Sequence, residues 1–389
     1  MRASVGALVA VWLTVLVVAA ALLAATNYRT RDPDSRAYIA ITTHLVDQPA
    51  SRWIAPQWWG AFGLQGLFRD HPAGTFVPPA LLARAGYPVA QSLFVVTLAC
   101  QVVSLLLMSA LASRLAPTSH ARVLVWALQL IPIAFVFRVR GNQEYPLLAG
   151  LLVAIYALER ARTSWGWVAL AVVGALYALF VKGVFALLAP VLAALWLWSR
   201  RRQASVGATA WTGLALIVGL MPLAAWGYEH AYHAITGQSF LDYYLGARIA
   251  LEGSSSTPWP FPLDKVGNAV WYVGRVLWYA SPWSLIAVAA VAPAMRARLT
   301  PAPRDWVRFS MMAALATIVL VAARDTKADR YVFPAYFFAA SAGVVLACAR
   351  WPRVASWAER LDRMWPWGPA VLWLLLVGGR ILTNQQLAW

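Results

Sequence analysis

The chain has 389 residues, of which 61% are hydrophobic and only 12% are charged, and its mean hydropathy is +0.62. About a quarter of the residues in a typical soluble domain are charged. This composition therefore excludes an ordinary soluble enzyme and indicates a protein that crosses the bilayer many times. The net charge of +17 does not indicate a nucleic-acid partner, because Lys and Arg also collect in the cytoplasmic loops of membrane proteins.

Segments of about 20 mostly apolar residues predict the membrane spans. We expect an all-α polytopic fold with about eleven transmembrane helices, within a range of about nine to thirteen, in a single membrane domain over residues 1–389. The first segment is longer than the apolar core of a signal peptide, about 7–15 residues, which favours an uncleaved helix. The predicted spans are residues 4–25, 89–113, 121–138, 144–159, 165–181, 183–199, 207–228, 276–295, 306–323, 331–349 and 367–383.

The loops between these spans predict the orientation. With the N-terminus in the cytoplasm, the cytoplasmic loops are short and rich in Arg, as the positive-inside rule requires. Only four of the fifteen acidic residues fall in these loops, so eleven lie outside, together with two long segments, residues 26–88 and 229–275. We therefore predict a multi-pass protein of the inner membrane whose active site faces the periplasm. The cytoplasmic arginines are Arg114, Arg122, Arg160, Arg162, Arg200, Arg201, Arg202, Arg296, Arg298, Arg304, Arg308, Arg350, Arg353, Arg360 and Arg363.

The two long outer segments contain short amphipathic stretches. Tyr38, Ile41 and Leu45 share one face of a helix predicted over residues 35–47, and such a helix lies along the membrane surface rather than across it. Similar interfacial structure is predicted over residues 240–252 and 265–275. An aromatic run in the first segment is apolar enough to dip into the lipid headgroups: Trp53, Trp58, Trp59, Phe62 and Phe68.

Two carboxylates follow the first span directly. Asp32 and Asp34 are two residues apart, just outside the predicted bilayer. One interpretation is a catalytic carboxylate with a helper. The other is that Asp34 caps the 35–47 helix, a role that Asp fills well. The two roles are compatible.

Further polar side chains mark the other outer boundaries. His71 precedes the second span, as an ordinary loop residue or as a group that binds an anion or shares a proton. Arg138 and Arg140 lie in an outer turn, where they bind phosphate or reach to lipid headgroups. Lys182 stands between two apolar runs. An ionisable group at such a place is a functional candidate, although it also suits a tight turn.

A dense charged cluster, residues 324–331, precedes the tenth predicted span. Salt bridges within the cluster are one explanation for it, and a binding site for an anion is another. Together the outer boundaries offer carboxylates and many cations above apolar spans. That arrangement suits a substrate with a phosphate at the surface and a lipid tail in the bilayer, and it also suits an anion transporter.

Five motifs follow one another along residues 1–350: Asp34-Ser35-Arg36-Ala37-Tyr38, His71-Pro72-Ala73, Lys182-Gly183-Val184, Ser281-Pro282-Trp283-Ser284, and Lys327 followed by Arg330-Tyr331-Val332-Phe333-Pro334. Their order resembles the membrane-embedded glycosyltransferases of the GT-C class. It is most similar to the bacterial relatives of protein O-mannosyltransferases and of the transferase that adds aminoarabinose to lipid A. Ala73 and Val184 stand where that family usually has Pro, and Ser35 replaces the commoner acid.

The resemblance implies a GT-C-like fold and an inverting sugar transfer from a polyprenyl-phosphate donor to a hydroxyl of an acceptor glycan, lipid or protein. It implies Asp34 as the general base, within hydrogen-bond reach of that hydroxyl. No cofactor is implied, and a divalent metal ion is compatible but not required, because Lys and Arg can neutralise a monophosphate. The implied catalytic group is Asp34 with Asp32 and Glu144, which orient the sugar or the base. The implied phosphate-binding group is Lys182, Lys327 and Arg330, followed by Arg138, Arg140 and His71.

Two other classes of protein share part of this pattern. A transporter or lipid flippase would place charges inside helices and often contain an inverted repeat, whereas no repeat is visible and the charges collect at one face. A polysaccharide polymerase or ligase also uses a large outer loop and Arg, but it has no need of the acidic cluster after the first span. The glycosyltransferase hypothesis accounts for more of the sequence than either.

Overall fold

The computed structural model describes residues 5–161, 164–201, 207–246, 263–290, 292, 299–324 and 327–383. Within these ranges the protein consists of seventeen α-helices joined by short 3₁₀ turns and loops, and its sole β-structure is an isolated bridge between Gln57 and Leu67. This confirms the all-α fold class. The helices are α1 (Val5–Ala25), α2 (Pro33–Asp47), α3 (Val77–Arg84), α4 (Val89–Ala112), α5 (Thr118–Gln129), α6 (Pro132–Val136), α7 (Glu144–Arg160), α8 (Trp165–Lys182), α9 (Leu188–Arg200), α10 (Ala208–Thr236), α11 (Phe240–Leu245), α12 (Leu263–Tyr279), α13 (Trp283–Ala289), α14 (Pro301–Ala322), α15 (Phe333–Arg350), α16 (Pro352–Met364) and α17 (Gly368–Thr383).

Six helical stretches of the described residues are long and apolar enough to cross a membrane, and α17 is a shorter apolar helix. The protein is therefore a multi-pass membrane protein, and the number of eleven spans stays a prediction. The six stretches are Gly6–Ala25, Val89–Ala112, Trp165–Arg200, Ala208–Thr236, Pro301–Ala322 and Asp329–Arg350.

Two of the predicted spans are broken helices. The span predicted over residues 121–138 ends at Gln129 and resumes at Pro132, because a residue that precedes proline avoids the helical region and Ile131 is extended (ψ 146°). The span predicted over 276–295 is divided by Pro282 into the end of α12 and the short helix α13. Its residues 291 and 293–298 lie outside the described ranges.

Helices α8 and α9 are antiparallel, although they follow each other closely enough in sequence to count as one apolar stretch, Trp165–Arg200. The ring of Trp167, near the start of α8, lies under the Arg160 guanidinium at the end of α7. Arg200, at the end of α9, pairs with Glu159 at 3.1 Å, so it also lies at the end of α7. The chain therefore reverses after Lys182, where Gly183 has a positive φ of 55° that a glycine adopts without strain. This reversal is the break predicted between residues 181 and 183.

Small residues let α7 and α8 approach closely. A Cβ atom built on Gly150 would lie 2.9 Å from the carbonyl oxygen of Gly174, and one on Gly174 would lie 2.8 Å from the amide of Ala154. Close backbone approach through small residues is the usual basis of helix association in membranes, where apolar lipid gives no hydrophobic drive. The contact brings the first residue of α7 and the last residue of α8 together.

Helix α15 lies at the centre of the bundle. It packs against α5, α13 and α14, and 94% of its apolar window, within Asp329–Arg350, is buried inside the protein. The first helix, α1, is peripheral, with 22% of its window buried. The residues that precede α15 are therefore held at the centre of one end of the molecule, which we call the outer end because α1 is predicted to leave the membrane there.

The first long segment folds over this outer end. The helix predicted at 35–47 is α2, and Ile41 and Leu45 are buried on its predicted apolar face. The expectation that the aromatic run dips into the headgroups is wrong for its buried members: the rings of Trp58 and Phe68 contact each other and enclose a small core beside α2. Within that run the exposed rings are Trp59 and Phe62.

The opposite end of the helices has a basic surface. Helix α16, which the sequence pattern did not predict, is strongly amphipathic and packs against α5 and α15. The predicted cytoplasmic Arg162, Arg202, Arg296 and Arg298 lie outside the described ranges. The other predicted cytoplasmic arginines lie at or near helix ends on this side, away from the outer end.

Candidate functional site

A cavity of about 110 Å³ opens at the outer end, below α2 and beside the start of α15. It collects side chains from the first outer segment, from the start of α7, from the end of α8, and from the connection between α14 and α15. Its walls are therefore polar, although it stands above apolar helices. The lining residues are Asp34, Tyr38, Asp70, His71, Asn142, Gln143, Glu144, Lys182, Phe185, Tyr244, Arg324, Arg330 and Tyr331.

The two acids that follow α1 have different roles in the local structure. Asp32, not Asp34, is the N-cap of α2, where its Oδ2 accepts from the backbone N–H of Ser35 at 2.9 Å. Pro33 then occupies the first helical position, where its missing N–H costs nothing. Asp32 also pairs with Arg140, which fixes the start of α2 to the loop before α7. Asp34 lies in the first turn of α2 and lines the cavity.

Asp34 is held between a cation and several acids. Its Oδ2 accepts from the guanidinium of Arg330, which comes from the turn before α15. Burial raises the pKa of Asp34, the positive charge of Arg330 lowers it, and the acids Asp32 and Glu144 raise it; the net shift is upward. A carboxylate with a raised pKa is a stronger base than an exposed one, which suits proton abstraction near neutral pH.

Glu144 and Lys182 form a buried ion pair at the floor of the cavity. Lys182 Nζ donates to Glu144 Oε1 at 2.8 Å, and the two side chains are 5% and 2% exposed. The close packing of α7 on α8 delivers both groups to this point. Buried charges of this kind persist when they are paired, and the second carboxylate oxygen of Glu144, Oε2, has no hydrogen-bond partner in the structure.

His71 is oriented by its neighbours. Its Nδ1 lies 3.0 Å from the carbonyl oxygen of Pro72, which only accepts, so Nδ1 carries the hydrogen. Its Nε2 lies 3.1 Å from the Tyr38 hydroxyl. Burial raises the pKa of Tyr38 well above its usual value, so the phenol keeps its proton. His71 thereby fixes Tyr38 against the cavity wall.

Aromatic rings and a further arginine complete the wall beside Lys182. The Arg324 guanidinium lies over the ring of Tyr331 at 4.6 Å and near that of Phe185 at 5.5 Å. With Lys182 and Arg330, Arg324 gives the cavity three cations from α8 and from the α14–α15 connection. Together they form a positive region that faces Asp34 and Glu144.

Four of the residues predicted for the site do not line this cavity. Asp32 and Arg140 pair with each other behind α2. Arg138 is 2% exposed and donates to the carbonyl oxygen of Gln129 at 2.7 Å. Lys327 lies on the α14–α15 connection but outside the cavity wall. Asp34, His71, Glu144, Lys182 and Arg330 do meet in it.

Sequence reasoning did not select several residues of the cavity. Arg324 belongs to the same charged cluster as Arg330, and its position at the end of an apolar helix was the available signal. Asn142 and Gln143 stand directly before Glu144, but uncharged amides at a loop are too common to indicate a site. Tyr244 comes from the second outer segment, and nothing in its surroundings in the chain points to the cavity.

Tyrosines of α10 and α11 bind the backbone at Ala73 and Val184, the two positions where the family usually has proline. The N–H of Ala73 donates to the Tyr228 hydroxyl at 3.3 Å, and the N–H of Val184 donates to the Tyr244 hydroxyl at 3.0 Å. Proline has no N–H, so the residues usual in the family at these positions could not make either bond. The departures therefore fit the way α10 and α11 are attached here.

The part of the chain that the structure describes contains no evident set of ligands for a metal ion. No group of three or more His, Cys, Asp or Glu side chains is arranged there to hold a metal ion. Two acids of the cavity, Glu144 and Asp34, are instead paired with Lys182 and Arg330.

Comparison with solved structures identifies the architecture. ArnT from Cupriavidus metallidurans bound to undecaprenyl phosphate matches with a TM-score of 0.64 and 16% identity, over 92% of this chain and 62% of that one. The apo state of the same protein matches with a TM-score of 0.61 and 16% identity, over 91% and 62%. The chain has the fold of ArnT. This confirms the GT-C-like fold that the motifs implied, since ArnT is a lipid A aminoarabinose transferase of that class.

The likeness to ArnT is one of architecture, at low sequence identity. The chain spans about three fifths of the length of the two ArnT structures. No protein-family model matches the chain, and no curated protein matches it.

Proposed function

We propose that the protein is a glycosyltransferase that moves a sugar from a polyprenyl-phosphate donor to an acceptor hydroxyl at the outer face of the inner membrane. The observation that carries the proposal is the outer cavity, where Asp34 and Glu144 meet Lys182, Arg324 and Arg330 above apolar helices. The fold supports it, because one of the two matching ArnT structures is bound to undecaprenyl phosphate.

The reaction follows from the charges of the cavity. Asp34 accepts the proton of the acceptor hydroxyl, whose oxygen attacks the anomeric carbon and forms the new glycosidic bond. The bond between that carbon and the phosphate oxygen breaks, and the polyprenyl phosphate leaves with the electron pair. Attack from the face opposite to the leaving group inverts the anomeric centre, and no covalent enzyme intermediate is needed.

The cations of the cavity stabilise the leaving phosphate. Fixed positive groups in a site with little water act on developing charge more strongly than they would in bulk solvent. Lys182, Arg324 and Arg330 are fixed by an ion pair, by aromatic rings and by Asp34 respectively. Glu144 holds Lys182 in place through their ion pair, so it has a positioning role.

An apolar cavity supports the lipid-linked donor. It has a volume of about 270 Å³ and lies between α12, α13, α14 and α15, with Val276, Leu315 and Ile318 among its walls. Its position beside α15 suits a prenyl chain whose phosphate reaches the charged outer cavity. The acceptor is a hydroxyl of a glycan, a lipid or a protein.

The test is transfer of radiolabelled sugar from polyprenyl-phosphate donors in membranes that express the wild type, Asp34→Asn or Asp47→Asn at equal levels. Loss of a general base costs about 10²–10⁴-fold in rate, so we expect Asp34→Asn to lose transfer by such a factor. Asp47 is exposed at the end of the same helix, and its variant should transfer normally.

Other outcomes separate the alternatives. Unchanged transfer by Asp34→Asn would keep the class of enzyme and move the base to Glu144, since Asp32 does not line the cavity. No transfer from any donor, with movement of lipid across the membrane instead, would replace the transferase by a transporter.

A further inference from the structure

Three consecutive residues at the start of α7 each have a buried polar atom without a hydrogen-bond partner. These atoms are Oδ1 of Asn142, Nε2 of Gln143 and Oε2 of Glu144. The residues are 5%, 6% and 1% exposed. A buried polar group left unpaired is unfavourable, and native proteins contain only a few such groups per 100 residues. Three in succession in the wall of one cavity favour a ligand that offers hydrogen bonds.

The local structure holds this triplet rigidly. The N–H of the preceding residue, Gly141, donates to Ser35 Oγ at 3.0 Å, and a Cβ atom on Gly141 would lie 2.4 Å from the Leu93 side chain. The loop is thus held between α2 and α4. On the other side Glu144 Oε1 is fixed by Lys182. All three residues line the outer cavity.

We propose that Asn142, Gln143 and Glu144 form the subsite that binds the sugar of the donor. This inference rests on the proposed function and assigns a separate part of the cavity to the sugar. A sugar hydroxyl both donates and accepts, so hydroxyl groups match two free acceptor oxygens and one free donor nitrogen. A phosphate does not match them, because it has only acceptors to offer to the oxygens of Asn142 and Glu144.

The charges of the cavity limit the class of sugar. Asp34, Asp70 and Glu144 are balanced by Lys182, Arg324 and Arg330, and the donor phosphate adds one negative charge. A sugar carboxylate would add another and would face the two acceptor oxygens of the triplet, where an unpaired buried charge is costly. The transferred sugar is therefore a neutral or an amino sugar, bound through hydroxyl or amino groups that donate to the triplet, and not a uronic acid.

The experiment measures binding of polyprenyl-phosphate ligands to the purified full-length protein in lipid nanodiscs. The ligands are the phosphate without sugar and the same phosphate bearing a neutral hexose, a neutral pentose, a 4-amino-pentose or a hexuronic acid. We expect the wild type to bind at least one neutral or amino-sugar donor more tightly than the sugar-free phosphate. The uronic acid donor should bind no more tightly than the sugar-free phosphate.

Two nearly isosteric variants test the triplet. Asn142→Leu and Gln143→Met should each reduce the gain due to the sugar by about tenfold, because a hydrogen bond to the ligand is lost. The affinity for the sugar-free phosphate should stay unchanged. Replacing an orphan polar atom by an apolar group is neutral or stabilising, so the ligand-free variants should unfold at the same or a higher temperature than the wild type. Gln238→Met, an exposed amide between α10 and α11, is the matched control.

Different results would contradict the sugar subsite and the proposed function. If the variants lower the affinity for the sugar-free phosphate as much as for the donors, the triplet binds phosphate and the inference is wrong while the transferase remains. Tightest binding of the uronic acid donor, or a lower unfolding temperature of the ligand-free variants without any effect on binding, would also overturn it. A wild type that binds no polyprenyl phosphate of any kind would overturn the proposed function as well.

Discussion

Asp34 shows how the acidity of one residue depends on the whole cavity. Burial in the cavity and the neighbouring acids raise its pKa, while Arg330, its direct partner, lowers it. The resulting pKa is raised, yet the carboxylate keeps a cation beside it that favours the ionised form. A base that must be ionised to act therefore loses activity as the pH falls through this raised pKa.

Removal of the Arg330 charge should shift this pH dependence. In Arg330→Met the influence that lowers the Asp34 pKa is gone, so the pKa rises further and the acidic limb of the kcat/KM profile moves to higher pH. Loss of an adjacent opposite charge is worth about one unit or more. The measurement is sugar transfer between pH 4 and 9, with Arg324→Met as control, since Arg330 is the cation with the largest influence on the Asp34 pKa. An acidic limb at the wild-type pH in Arg330→Met would exclude Asp34 as the group that titrates.

The buried Glu144–Lys182 ion pair should affect the stability of the protein. Lys182→Met leaves the buried Glu144 carboxylate without its partner, which costs about 3–5 kcal/mol. The double variant Glu144→Gln with Lys182→Met removes both charges and should recover most of that loss. Thermal unfolding in detergent measures the stability, and transfer should be reduced in both variants because a phosphate-binding cation is missing. A single variant as stable as the wild type would show that the pair is not buried as described.

At the scale of single residues, the sequence predicts how deep in the membrane a charged side chain lies better than which way it points. Lys182 and Arg138 both stand at predicted outer boundaries, and the apolar runs around them do not distinguish one from the other. In the fold Lys182 points into the cavity, whereas Arg138 turns to the carbonyl oxygen of Gln129. Which way a side chain points around its helix depends on the packing of neighbours that are distant in sequence, and hydropathy does not contain that packing.

At the scale of elements, α10 and α11 are each attached by a tyrosine to a loop that shapes the cavity. Tyr244 accepts from Val184 N–H next to Lys182, and Tyr228 accepts from Ala73 N–H next to His71. The amphipathic pattern predicted α2, but it did not predict this attachment. A tyrosine hydroxyl that accepts from the backbone of another segment has no periodicity to reveal it.

A double-mutant cycle tests the Tyr244 attachment. Val184→Pro removes the N–H donor and should lower the stability by about 1 kcal/mol, as for a typical hydrogen bond. In a Tyr244→Phe background the same proline should have a smaller effect, because the acceptor is already gone. Thermal unfolding of the four proteins gives the coupling. Equal effects of the proline in both backgrounds would mean that the hydrogen bond contributes nothing.

At the scale of the whole molecule, the helices separate two unlike ends. The cavity with its acids lies at one end, and the predicted cytoplasmic arginines within the described ranges lie at the other. The positive-inside rule then predicts that the cavity faces the periplasm.

Single cysteines test this orientation. Cys100 and Cys348, both free, are first replaced by Ala. A membrane-impermeant maleimide should then label Gln238→Cys in intact cells, because that residue is exposed at the outer end, between α10 and α11. Ser356→Cys, exposed on α16, should be labelled after the membrane is permeabilised and not before. The reverse pattern would place the cavity in the cytoplasm.

The central position of α15 has a consequence for how the sequence can vary over evolution. By composition α1 and α15 are both ordinary apolar spans, with hydropathies of 2.7 and 1.9, yet 22% of one window and 94% of the other are buried in protein. Lipid accepts almost any apolar side chain, whereas a close-packed interior resists a change of even one methylene. Among descendants of this sequence, α1 should therefore drift freely among apolar residues, while α15 should change slowly and in concert with its neighbours α13 and α14.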